Sequence, residues 1–168
     1  YSPVLHLHDH KTPVHEYYNL SIRPNRLPGA WQSKAFIAYC PDGGRVYSFG
    51  GEWQDGMLHA RVRTLGDFCI MVDTVPPTIR PVTFSGNMAG WNQMTFLIDD
   101  NIATAGDAAD LRYRATLDGQ WILMEFDEKN DRLSHTFEGS LTPGEHRFRL
   151  EVTDGQDNVT VFERTIVL

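Results

Sequence analysis

Long apolar runs are missing from this chain of 168 residues. No stretch approaches the roughly 20 consecutive apolar residues of a bilayer-spanning helix, so no transmembrane segment is expected. Basic charge is in short supply: 15 Lys and Arg stand against 22 Asp and Glu, for a net charge of −7. The deficit is uneven, because residues 1–73 carry seven of each sign while residues 74–168 carry eight against fifteen. Without a basic stripe to neutralise phosphates, nucleic acid and anionic membranes are poor partners. Basic partners and cations stay open. Cysteine is limited to Cys40 and Cys69, both in strand-like runs. They read either as a disulfide between adjacent or facing strands in an oxidising compartment, or as two small buried thiols.

The catalytic signatures are also missing. There is no Gly-x-Ser-x-Gly elbow and no Cys/His context of a nucleophile, and no glycine-rich phosphate loop or dinucleotide fingerprint. Serines, histidines and acids are scattered, so no hydrolytic triad is expected, and no cofactor. The chain opens at Tyr1 with neither an initiator Met nor a signal peptide. It is therefore expected to be a piece of a longer protein whose targeting segment lies outside it.

What is present has the composition of a globular protein, 41% hydrophobic and 22% charged. The stretch that organises it is Asp73-Thr74-Val75-Pro76-Pro77-Thr78-Ile79-Arg80-Pro81. Paired prolines make a stiff, extended connector that suits neither a helix nor a central strand. Two domains are expected, residues 1–73 and 74–168. The first half reads as short strands at Ser2–His8, Tyr17–Ile22, Lys34–Cys40, Arg45–Phe49, around Trp53, at Met57–Arg63 and at Phe68–Val72, with turns between them. In the second half seven strands are expected: Thr78–Phe84, Met94–Ile98, Leu111–Leu117, Gln120–Phe126, Arg132–Phe137, Glu145–Thr153 and Val159–Val167. Asp118-Gly119 between two alternating runs has the chemistry of a two-residue type I′ hairpin. Asn101–Asp110 is the one long loop, with room for a helical turn. The fold class is therefore all-β: two tandem β-sandwich domains, the second immunoglobulin-like or fibronectin type III-like.

Four groups of residues invite a functional reading. His6, His8 and His10, with His15 nearby, would share one face of a strand, and imidazoles so spaced can reach one zinc ion. The plainer reading is a polar, histidine-rich strand face. Asp99-Asp100 and Asp154, Asp157 and Asn158 fall at strand ends, where loops can form an oxygen cage for calcium; the plainer reading is solvated acids that make local side-chain turns. Trp53 and Trp91, with Trp31, lie beside loops and are candidates for stacking on a sugar. Trp121, inside the apolar run WILMEF, is expected in or half in the core. Asn19-Leu20-Ser21 and Asn158-Val159-Thr160 fit the glycosylation sequon, a pattern short enough to recur by chance.

Taken together, Leu20-Ser21-Ile22, Ser33-Lys34-Ala35, Gly50-Gly51-Glu52-Trp53, the run Arg61 to Phe68 and Val72-Asp73-Thr74-Val75-Pro76-Pro77-Thr78-Ile79 resemble a C-terminal region of secreted bacterial proteins. In those proteins the region follows a lysostaphin-like (LytM-type) zinc metallopeptidase domain. The likeness continues through Tyr113-Arg114-Ala115, the run Leu117 to Asp127 and Val152-Thr153-Asp154. The resemblance implies a non-catalytic accessory region of a cell-envelope peptidase, periplasmic or at the cell surface. It would space or dock an upstream peptidase domain of the same chain against peptidoglycan or a surface glycan, and hydrolyse nothing alone. His6-Leu7-His8 matches the letters of the peptidase's last zinc element, but the other ligands are absent, so no catalytic role is carried onto it. The loop after Asp99 reads Asn101-Ile102-Ala103-Thr104-Ala105-Gly106 where that region often has Ser-Gly-Ile. The competing expectation is an adhesin-like or glycan-binding immunoglobulin-like module with no peptidase partner.

Overall fold

The computed structural model describes residues 1–137 and 142–168. Its strands are β1 (Leu5–Leu7), β2 (Tyr18–Ile22), β3 (Ala35–Tyr39), β4 (Tyr47–Ser48), β5 (Glu52–Gln54), β6 (Met57–Val62), β7 (Gly66–Val72), β8 (Thr78–Thr83), β9 (Gln93–Asp99), β10 (Ala103–Thr104), β11 (Arg112–Leu117), β12 (Gln120–Ile122), β13 (Glu125–Asp127), β14 (Arg132–Thr136), β15 (Glu145–Thr153) and β16 (Val159–Val167). The only helical pieces among the described residues are two 3₁₀ turns, Gly29–Lys34 and Glu128–Asn130. The protein is all-β.

Two compact units divide the chain. The first is Tyr1–Val75 together with Asn101–Asp110 and Gly155–Asp157; the second is Pro76–Asp100, Leu111–Asp154 and Asn158–Leu168. The main break thus falls at the Val75-Pro76 bond, inside the proline connector, while two short later segments join the first unit.

The first unit sets a five-stranded sheet, β1-β7-β3-β4-β10, against a three-stranded one, β2-β6-β5. Alternation decides which side chains meet. Leu20 and Ile22 of β2 and Leu58 and Val62 of β6 point inward, onto Ile37 of β3 and Phe68 and Ile70 of β7. Each such buried side chain contributes roughly 1.5–3 kcal/mol. The long loop holds no helical turn. Ala103 and Thr104 instead pair in parallel with Tyr47 and Ser48, extending the sheet by a strand too short to show a period in sequence.

The second unit packs β13-β14-β9-β8 against β12-β11-β15-β16. Lettered A to G in chain order, with β12 as C′, these are D-E-B-A and C′-C-F-G, the order of an immunoglobulin-type sandwich. Phe96 and Phe148 stack across its core with ring centroids 5.3 Å apart and planes 10° from parallel, and Phe84 and Phe162 close around them. Pro81 is accommodated because β8 is an edge strand with a bulge between Pro81 and Thr83. The expected hairpin is present: Asp118 and Gly119 have φ of 52° and 79° between β11 and β12.

One expected strand is corrected. Gln120–Phe126 is two strands, β12 and β13, in different sheets. The chain crosses between them at Leu123-Met124, and Met124 plugs the core as it does so. Trp121 is accordingly not in the core; it lies on edge strand β12 and is 58% exposed.

Candidate functional site

The outer face of the three-stranded sheet in the first unit carries the most chemically organised group of side chains. The alternation that sends Leu20, Leu58 and Ala60 inward sends Asn19 and Ser21 of β2 and His59 and Arg61 of β6 outward. Register then sets them in rows. Ser21 lies opposite His59, and His59 opposite Glu52 of β5. Asn19 lies opposite Arg61 in the next row. Above them opens a cleft of about 740 Å³, floored in part by Gly50 and Gly51 and walled by Asp107, Ala108 and Ala109 of the later segment. A side chain at Gly51 would place its Cβ 2.7 Å from Leu58, at a φ of 154°, so the floor requires glycine there.

Within the cleft the hydrogen bonds fix proton positions. The His59 Nε2 lies 3.2 Å from the Gln54 carbonyl oxygen, which can only accept. In the neutral ring Nε2 therefore holds the proton and Nδ1 is left as an acceptor. The Ser21 hydroxyl, 2.7 Å from Nδ1, donates to it. Arg61 is held from two sides, by the Asp107 carboxylate at 3.1 Å and by the face of Tyr17 at 4.8 Å. A hydroxyl aimed at an imidazole nitrogen, with the far nitrogen fixed by a third group, is the arrangement of an activated nucleophile and its base.

The residues singled out by sequence are placed elsewhere. His6 lies on β1 and its Nδ1 is 2.6 Å from Asp67. The strand ends at Leu7, and His8 has a left-handed φ of 55°, so His6, His8 and His10 do not continue along one strand face. Among the described residues those three imidazoles form no group with ligand atoms close enough to share an ion. Trp53 points inward, packed on the first unit's core, and its Nε1 donates to the Gln32 carbonyl at 2.9 Å. Trp91 is exposed, and Trp31, also exposed, makes an edge contact with Tyr1. Asp154 accepts from both the backbone and the side-chain nitrogen of Asn158 at 2.8 Å, which closes a local turn. Cys40 and Cys69 are free thiols with sulfurs 3.8 Å apart. Burial, and then the neighbouring Cys40, push the Cys69 thiol up to about 11.

The first half of the chain also has a relative. Residues 1–73 are similar to the Zu5-like domain. The match covers the main segment of the first unit and leaves residues 74–168 unmatched. Among curated proteins, none matches the chain.

Proposed function

We propose that this chain is an accessory region of a cell-envelope metallopeptidase, which spaces or docks an upstream catalytic domain against peptidoglycan and cleaves no peptide cross-link itself. The observation that carries the reading is the proline connector between two compact β units, set within the residue runs that resemble the tail of LytM-type peptidases. A stiff proline segment at the main break between two β units suits a positioning role. The localisation that goes with this reading is the periplasm or the cell surface.

The polar cleft of the first unit and the exposed Trp91 favour a second reading, a glycan-binding module with no peptidase partner. The coding sequence upstream of Tyr1 separates the two. A domain there carrying a His/Asp pair and a His-x-His element supports the accessory role. Further β modules or an anchor alone would turn the reading to glycan binding.

A further inference from the structure

We propose that Ser21 is a reactive nucleophile with His59 as its general base, and that the cleft above them takes an acyl ester borne on a polar carrier. The inference goes beyond the accessory role and does not depend on what lies upstream of Tyr1.

Three observations carry it. First, with His59 neutral, the Gln54 carbonyl at Nε2 leaves Nδ1 to accept the Ser21 hydroxyl proton. Second, both residues are half-buried and line the 740 Å³ cleft, so a ligand in it meets the hydroxyl directly. Third, the neighbouring row places Asn19 and Arg61 on the same face, one pleat repeat or roughly 7 Å along the strands. The Arg61 guanidinium, paired with Asp107 and set against Tyr17, lines the same cleft as a polar group for the carrier.

The substrate class follows from the same groups. A neutral carbonyl, rather than a carboxylate, holds the far side of His59, so the imidazolium formed on proton transfer is less stabilised than in a full triad. That limits the chemistry to leaving groups better than an amide, hence to esters. The lining includes Asn19, Gln54, Glu52, Arg61 and Asp107, which suits a carrier rich in hydroxyl or amide groups over an apolar one.

The step is an acyl transfer. The Ser21 proton moves to His59 Nδ1 as the bond from Oγ to the acyl carbon forms. The ester C–O bond then breaks, and the departing oxygen leaves as the alcohol with that proton. Water attacks the acyl-serine, its proton passing through His59 back to the Ser21 oxygen, and the carboxylic acid departs.

The test treats the intact chain with an alkyl fluorophosphonate and locates the adduct by peptide mass mapping. The Ser21 Oγ–P bond forms, the P–F bond breaks, and fluoride leaves while the proton passes through His59 to solvent. One adduct at Ser21 is expected, absent from Ser21→Ala and formed roughly 100-fold or more slowly by His59→Gln, with the β circular-dichroism signal of both variants unchanged. No adduct on the wild-type chain, an adduct only at another residue, or an equal labelling rate in folded His59→Gln overturns the proposal. The wild-type mapping stands even where a variant fails to fold.

Discussion

His146 ties the start of β15 to two acceptors at once. Its Nδ1 lies 2.6 Å from the Asp118 carboxylate and its Nε2 2.7 Å from the Thr142 carbonyl. Neither partner can donate when Asp118 is ionised, so the ring satisfies both only as the doubly protonated imidazolium. The Thr142 carbonyl, and then Asp118, hold His146 above its ordinary value. The Arg147 backbone N–H, and then His146, hold Asp118 below the usual carboxylate range. The raised histidine adds stability that is complete below its unfolded value near 6.5 and is lost as pH rises through the higher folded value. The lowered Asp118 adds stability above its unfolded value, lost only as pH falls through the depressed one. His146→Gln is therefore expected to lower the melting temperature more at about pH 5.5 than at about pH 8.5; thermal melts at the two pH values check it.

The residue scale is also where sequence told least about the candidate site. Ser21 and His59 are 38 positions apart, and only the pairing of β2 with β6 makes them neighbours. A signal existed, since YNLSI and MLHARV each alternate apolar and polar, which marks Asn19, Ser21, His59 and Arg61 as outward. What the alternation could not supply was the register between the two strands. The histidines at 6, 8 and 10 part from one strand face for the opposite reason. Their spacing assumes a strand that lasts, and the backbone turns left-handed at His8.

At the scale of elements, the local turn chemistry was legible and the sheet-to-sheet crossings were not. Asp118-Gly119 forms the hairpin that a type I′ turn demands, both φ positive. Gly119→Val would force a branched side chain into the left-handed region, at a cost of about 1–2 kcal/mol. Denaturant unfolding should show the midpoint falling with little change in slope. The run WILMEF, in contrast, looks like one strand because apolar residues persist across the point where the chain leaves one sheet for the other. Met124 buried in the core and Trp121 exposed on an edge strand have similar hydrophobicity in sequence and opposite fates in the fold. Periodicity does not reveal a crossing that tertiary packing alone defines.

At the scale of the whole molecule, the main break falls within the proline connector, yet the first unit is not one continuous segment. Strand β10 completes its larger sheet, and the Ala105 N–H donates to the Ser48 carbonyl beside it. A fragment ending at Val75 lacks those partners and leaves β4 as a bare edge. With each lost backbone hydrogen bond worth about 1 kcal/mol, the fragment is expected to exchange its Ser48 amide, on the side of β4 that faces β10, faster than the full chain, as native-state hydrogen exchange would show. Two residues of strand within a polar loop gave no sequence pattern to announce this. The measurement that bears most directly on the accessory role compares the parent protein with a form lacking residues 1–168 on two substrates, a soluble cross-link peptide and intact peptidoglycan sacculi. If the region docks the enzyme, its removal leaves the soluble peptide cleaved at an unchanged rate and lowers sacculus cleavage by about tenfold or more, through lost effective concentration. Equal rates on sacculi, or an equal loss on both substrates, would contradict the account.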